Sequence, residues 1–187
     1  AYRYALVLDS RQKGKSSLIA HVGADLRKAG FKVLKLDLQR FGSTLNSDQW
    51  YSALLLAAGE QLDAFAEAQE VRKAKSHESL AQRWINLLER HAVASEVGLV
   101  VFIDEVDFLR SLPFDTDDFL AVIRSSFQRR SENGELRKLV FCFCGASTPA
   151  GLVRNPALGE MIIGTRITLQ DFSESEIRPY LDHLVQN

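Results

Sequence analysis

The stretch from Tyr4 to Ala29 constrains the fold more than any other. An apolar run, Tyr4-Ala5-Leu6-Val7-Leu8, leads into a polar loop, Asp9-Ser10-Arg11-Gln12-Lys13-Gly14. An amphipathic pattern follows, with Ile19, Val22, Leu26 and Ala29 at helical spacing, and Gly30 stands where a left-handed C-cap would end that helix. A strand, a tight loop and a helix are therefore expected in immediate succession. The alternation continues. Phe31–Leu38 reads as a strand, Asp48 to about Glu67 and Glu78 to about Ala92 as helices, and Leu99–Ile103 as a continuous apolar strand. Asp115 to about Arg130 reads as a helix with Asp115 and Asp118 as caps, Leu139–Cys144 as a buried strand, and Ile162–Leu169 as the last strand. The charged, Ala-rich stretch Glu67–Ser79 suits either a helix or a mobile excursion. Ser173-Glu174-Ser175-Glu176 is a capping-box pattern opening a final helix, which Pro179 would delay or kink. The pattern predicts the α/β class: a mainly parallel sheet with helices on both faces.

A chain of 187 residues suits one domain with its own apolar core. Its net charge of -1 gives no global basic field for nucleic acid or an anionic membrane. No apolar run is long enough to span a bilayer. The chain begins with Ala1, enters a strand without a leader pattern and stops inside a helical pattern, so a cytoplasmic fragment of a larger protein is expected. Cys142 and Cys144 alternate with Phe141 and Phe143 on one strand, a poor geometry for a disulfide, and read as reduced core residues. His21, His77, His91 and His183 are scattered without zinc spacing.

The loop Asp9 to Ser16 matches the second half of the phosphate-binding pattern G-x-x-x-x-G-K-[ST] in the required strand–loop–helix context. A helix N-terminus offers free N–H groups and partial positive charge to an anion. Gly14 lets the backbone approach phosphates, Lys15 supplies charge to β- and γ-phosphate oxygens, Ser16 offers a hydroxyl to Mg²⁺, and Ser17 suits the α-phosphate. Arg11, Gln12 and Lys13 complete the loop. The first position is Asp9 where the pattern asks for Gly. Its carboxylate is expected to turn outward, onto the loop's own N–H groups or toward Arg11 or Lys13. Val100-Val101-Phe102-Ile103-Asp104-Glu105 is an apolar strand ending in two acids, the arrangement that places Asp104 near Mg²⁺ and Glu105 near an attacking water. Asp107 reads as a surface or helix-entry residue.

With both elements in place, the chain resembles the AAA-like ATPases of the AAA+/STAND group, in particular the bacterial AAA-like domain family. The resemblance is carried by Ser10–Leu18, Lys35-Leu36-Asp37-Leu38, Trp50-Tyr51, Phe102–Asp107, Asp118–Arg124, Gly145-Ala146-Ser147-Thr148-Pro149 and Ile163–Leu169. It implies a P-loop NTPase with a five-stranded parallel sheet in the order 5-1-4-3-2, nucleotide at the carboxyl ends of the strands, and ATP rather than GTP. It also implies a nucleotide-binding core over 1–171 and the start of a helical lid over 172–187. Ser147 and Thr148 stand where such proteins keep a polar sensor, and Asp37 and Gln39 where they keep a residue that restrains the catalytic acid. Arg124, Arg129, Arg130, Arg154 and Arg166 are available as arginine fingers, Arg124 looking most like a placed residue. The strand-end Arg common in STAND proteins is absent.

Three functions follow as expectations. The first is a slowly hydrolysing ATP- and Mg²⁺-dependent switch acting on other domains of the same chain, with a homo-oligomer in scope. The second is a DNA-associated AAA+ ATPase of the origin-recognition or transposition-helper type, which the neutral charge disfavours. The third is a nucleotide-binding scaffold without hydrolysis, which Asp9 would favour.

Overall fold

The structure, a computed structural model, describes residues 3–10, 12–146, 164–170 and 178. Five parallel strands form one sheet: β1 (Ala5–Leu8), β2 (Lys32–Asp37), β3 (Leu99–Asp104), β4 (Leu139–Gly145) and β5 (Thr165–Arg166). Their order is β2-β3-β4-β1-β5, the order that the family resemblance implies. Helix α1 (Lys15–Lys28) covers one face over Val7, Val33, Val100, Phe102, Cys142 and Cys144. Helices α2 (Ser47–Gln61), α3 (Phe65–Lys73), α4 (Leu80–Ala94) and α5 (Asp117–Gln128) build the larger core on the other. Trp84 stacks on Phe119 at 5.2 Å between ring centroids, and Trp50 meets Phe119 edge-on at 5.5 Å. These aromatic pairs lock the helical layer together. Among the described residues, no helix is long and apolar enough to cross a membrane.

Local chemistry explains the helix ends. Helix α1 closes in a Schellman motif: Gly30, at φ +87°, donates to Arg27 O, and Phe31 N donates to Leu26 O, both at 3.0 Å. Asn46 and Gln49 form a reciprocal capping box at α2. Asp115 and Asp118 do not cap α5 as expected. Its N-cap is Thr116, without a side-chain bond, while Asp115 instead accepts from Asp117 N at 2.9 Å.

The single helix expected over Asp48–Glu67 is two. Helix α2 stops at Gln61, Asp63 takes a left-handed φ of +56°, and α3 folds back on α2. Gly59 permits this: a Cβ there would lie 2.4 Å from Ala68 Cβ and 3.1 Å from Ala64 O. The stretch left open beyond Glu67 is helix as far as Lys73, then a loop fastened by Arg83. That guanidinium donates to the carbonyls of Val71, Arg72, Ala74, Ser76 and Glu78 at 2.9–3.3 Å, satisfying orphan groups at the end of α3.

The outer edge of β2 is also closed by side chains. The Gln61 amide bonds both Lys35 N and Lys35 O at 2.9 Å, as a neighbouring strand would, and Arg27 donates to Val33 O at 3.4 Å. At the opposite edge, β5 is assigned as strand only over Thr165–Arg166, shorter than the expected Ile162–Leu169, whose first two residues lie outside those described. The capping-box segment at Ser173 also lies outside them. Cys142 and Cys144 are free and buried, with their sulfurs 3.8 Å apart. Their mutual hydrogen bond, then burial, pushes the Cys144 thiol well above the usual range.

The packing predicts a sign opposite to helix propensity at Gly59. Alanine is the better helix former by about 1 kcal/mol, yet Gly59→Ala should destabilise the fold by about 1–3 kcal/mol through overpacking. At Gly134 an added Cβ meets nothing within 4 Å, so Gly134→Ala should change stability by less than about 0.5 kcal/mol. Urea titration of both variants checks the pair.

Candidate functional site

The site forms where the strand order turns back on itself, at the carboxyl end of β1 between β4 and β5. Asp9 N donates to Gly145 O at 3.1 Å, and the chain then leaves the sheet. Gln12, at φ +64°, and Gly14, at φ +76°, bend the loop into the first turn of α1. That turn is Lys15-Ser16-Ser17-Leu18, with no acidic side chain to occupy its open N–H groups. A cavity of about 420 Å³ lies against it, lined by Gln12, Gly14, Lys15, Ser16 and Ser17 on one side and by Gln39, Glu105 and Ala146 on the other.

Lys15 is buried, and its ammonium donates to Asp9 O at 2.9 Å and Ser10 O at 2.5 Å. Both partners are neutral carbonyls, so the cation is positioned without being neutralised. Ser16 Oγ donates to Asp104 Oδ2 at 3.4 Å, bringing the two candidate metal residues together from elements 88 positions apart. Asp104 is 4% exposed, and its other oxygen accepts from Glu105 N at 3.1 Å. Among the described residues, no three His, Cys, Asp or Glu converge on a metal position. The protein therefore supplies two oxygens at this point, Ser16 Oγ and an Asp104 carboxylate oxygen. That set fits Mg²⁺, which usually keeps several waters and is completed by substrate phosphates.

Glu105 leaves β3 in a left-handed conformation, φ +54°, and its carboxylate accepts from Gln39 Nε2 at 3.4 Å. Gln39 is presented by the 3-10 turn 38–41, whose N-cap is Asp37, accepting from Gln39 N at 3.1 Å. Asp37 thus shapes the turn while Gln39 reaches the acid. Asp107, read from sequence as a surface or helix-entry residue, has a further role. Its carboxylate accepts from Ala146 N at 2.8 Å, and a Cβ on Gly145 would stand 2.6 Å from the same oxygen. Asp107 thereby fastens the turn after Glu105 to the exit of β4. The sequence marked Asp107 only as the last residue of the stretch Phe102–Asp107 that carries the family resemblance, without assigning it this contact.

Asp9 turns outward onto a loop N–H, as expected, and also onto a partner beyond the loop. One carboxylate oxygen accepts from Ser10 N at 2.7 Å and the other from Leu169 N at 3.3 Å. Thr165 N donates to Tyr4 O and Ile167 N to Leu6 O, so the Asp9 side chain takes the next rung of that ladder. The Ser10 N–H has the largest effect; the loss of solvation opposes it and comes next, and the Leu169 N–H with the nearby Lys13 and Lys15 charges adds to the lowering. The carboxyl is held below its ordinary range.

Arg11, Ser147, Thr148 and Arg154 fall outside the described residues. Lys13 is half-buried in the loop and does not line the cavity, and neither does Arg124, half-buried on α5. Arg129 pairs with Glu89, and Arg130 is buried against the rings of Tyr4 and Phe127 while donating to Leu139 O. Arg166 is exposed on β5.

A family model for the AAA-like domain matches residues 6–184. The chain belongs to the AAA-like domain family. It is 29% identical over 184 residues to an uncharacterized WD repeat-containing protein of Synechocystis, covering 96% of this chain and 15% of that protein. The chain therefore spans about one seventh of the curated relative it matches. Among solved structures, the fold is similar to the ORC2 protein of Aeropyrum pernix in ADPNP–ADP complexes, with TM-score 0.62 and 13% identity over 98% of this chain and 45% of that chain. It is also similar to Cdc6p of Pyrobaculum aerophilum, with TM-score 0.57 and 13% identity over 98% of this chain and 43% of that one. AMPPCP-bound DnaA of Aquifex aeolicus gives TM-score 0.52 and 14% identity over 99% of this chain and 46% of that one. The architecture is that of the P-loop AAA+ ATPases.

The Asp9 geometry predicts a pH effect of definite sign. With its folded-state pKa below the unfolded value, Asp9 contributes stability that is complete above the unfolded value and is lost as pH falls through the lower folded one. Asp9→Asn should therefore reduce the loss of Tm between pH 7 and pH 3, and melting curves at a series of pH values check it.

Proposed function

We propose that this domain binds ATP with Mg²⁺ at the loop between β1 and α1 and serves as a nucleotide-dependent switch within a longer protein. One observation carries the reading: Lys15, Ser16, Glu105 and Gln39 come from three separate segments and line one cavity, with Asp104 in hydrogen-bond contact with Ser16. The first-turn N–H groups of α1 would bind phosphate oxygens, joined by Lys15 swinging from the Asp9 and Ser10 carbonyls. Ser16 and Asp104 would hold Mg²⁺, which when bound neutralises developing charge on the phosphates. Glu105 would orient and deprotonate the attacking water, and Gln39 would hold the Glu105 carboxylate until nucleotide and lid are in place. Sensor roles for Ser147 and Thr148 and an arginine-finger role for Arg124 belong to the same proposal.

The switch reading, in place of a stand-alone enzyme, is supported by the WD-repeat relative, which devotes most of its length to other segments. Two elements bordering the cavity, the turn bearing Gln39 and the β4 exit fastened by Asp107, are well placed to pass nucleotide state to attached domains. A second reading, a DNA-associated ATPase, is favoured by the fold likeness to initiators, one of them the Aeropyrum pernix ORC1 protein in complex with DNA, at TM-score 0.55. The net charge of -1 weighs against it. Retention on DNA at low salt separates the two.

Lys15→Ala should lower ATP affinity about ten- to a hundredfold, the loss of a charge-assisted contact worth roughly 1.5–3 kcal/mol. Equal calorimetric affinities in variant and parent would reject this loop as the phosphate site. Glu105→Gln should retain ATP binding and lose phosphate release by about a hundredfold or more in the full-length protein. Turnover at the parental rate would remove Glu105 from the reaction.

A further inference from the structure

Asp104 faces a cation that the phosphate-loop pattern does not contain. Lys35 Nζ lies 3.7 Å from Asp104 Oδ2, the same oxygen that Ser16 Oγ approaches at 3.4 Å. The two groups differ sharply in exposure: the Lys35 side chain is 41% exposed and that of Asp104 6%. The geometry is set by the sheet. Lys35 pairs in register with Phe102, which packs on the α1 face, so Lys35 projects from that face and reaches diagonally toward Asp104. Its backbone is held on both N–H and C=O by the Gln61 amide. The other lysine nearby, Lys15, is directed instead at the carbonyls of Asp9 and Ser10.

We propose that Lys35 is a tethered cation that takes the electrostatic place of Mg²⁺ on Asp104 and thereby sets how strongly nucleotide binding depends on the metal. This inference rests on the nucleotide-site reading above. A carboxylate taken out of water is costly without a compensating charge. In the metal-free protein Lys35 supplies part of that charge through a side chain that is only partly buried. A divalent ion seated between Ser16 and Asp104 would lie within a few ångströms of the ammonium, and the two would repel. A half-exposed ion pair contributes little, so Lys35 can swing into water at small cost when Mg²⁺ arrives. Two consequences follow. Mg²⁺ must compete with Lys35 for one carboxylate oxygen, and ATP binding without metal meets a neutralised Asp104 rather than a bare negative charge.

The test is a titration of the full-length protein with a fluorescent ATP analogue, at Mg²⁺ levels from excess EDTA to millimolar. Lys35→Gln should lower the half-saturating Mg²⁺ concentration about three- to tenfold and weaken binding in EDTA by a similar factor. Lys35→Arg, which keeps the charge, should stay within about twofold of the parent in both readings. In an Asp104→Asn background, Lys35→Gln should have no further effect, because the carboxylate through which it acts is gone. If the parent binds the analogue and Lys35→Gln leaves both the Mg²⁺ midpoint and the EDTA affinity unchanged, the assignment of Lys35 is overturned while the nucleotide site stands. If the parent binds no analogue with or without Mg²⁺, the nucleotide site itself falls, and the role of Lys35 with it.

Discussion

The buried carboxylate of Asp104 is the constraint around which the upper edge of the sheet is organised. An ion at the end of the apolar strand β3 would be prohibitively expensive without partners. Three segments supply one each. Helix α1 contributes the Ser16 hydroxyl, β2 the Lys35 ammonium, and the chain's own turn the Glu105 N–H. The interaction is thus a meeting point of β2, β3 and α1, and it fixes how the loop before α1 sits against the strand ends. The arrangement suits the proposed Mg²⁺ site, because each bond to Asp104 is long or exchangeable. None matches a metal bond in strength, so the carboxylate is both held and available.

What was legible in the sequence follows from which interactions are local. Strand β3 is a run of apolar residues ending in Asp104, and hydropathy alone locates it. The left-handed Gly30 after Lys28 locates the end of α1 in the same way. Other features depend on contacts between distant segments and leave no periodic trace. The break between α2 and α3 rests on Gly59 meeting Ala68, in a stretch whose composition favours one continuous helix. Arg83 fastens the loop after α3, yet it reads as an ordinary polar residue of α4. Site residues divide along the same line. Lys15, Ser16, Asp104 and Glu105 sit in motifs of fixed spacing. Lys35 reaches Asp104 only through the β2–β3 register, and Asp107 reaches Ala146 only because β4 lies beside β3.

Asp9 shows how a departure from a motif can be absorbed by the fold. Glycine at the first position of a phosphate loop makes room for a tight turn. Here the turn already has its left-handed residues at Gln12 and Gly14, and Asp9 lies in line with β1, bonded to Gly145. The side chain of a residue in line with a strand can project sideways, away from the loop. That of Asp9 meets the backbone of the segment after β5, at the level where the β1 carbonyls would otherwise have supplied the next acceptor. The negative charge is thereby spent on two backbone N–H groups and kept out of the cavity. Reading the acidic residue as a sign of a decayed site would require its carboxylate to enter the cavity, and it does not line it.

The two non-glycine residues in left-handed conformations that border the cavity, Gln12 and Glu105, complete the argument. Such conformations cost on the order of 1–3 kcal/mol each and persist only where the surroundings over-determine them. At Glu105 the surroundings are explicit. Its N–H is tied to Asp104, its carboxylate to Gln39, and the turn that follows is anchored through Asp107 to Ala146. Relaxing that backbone would break three contacts at once, so the turn is a coupled unit with Gln39 on one side and the β4 exit on the other. A ligand that draws Glu105 away from Gln39 would change the load on the Asp107 bond, because both act on one short segment. The strain is therefore placed where a change at the cavity is most directly passed to the sheet edge and to whatever packs against it.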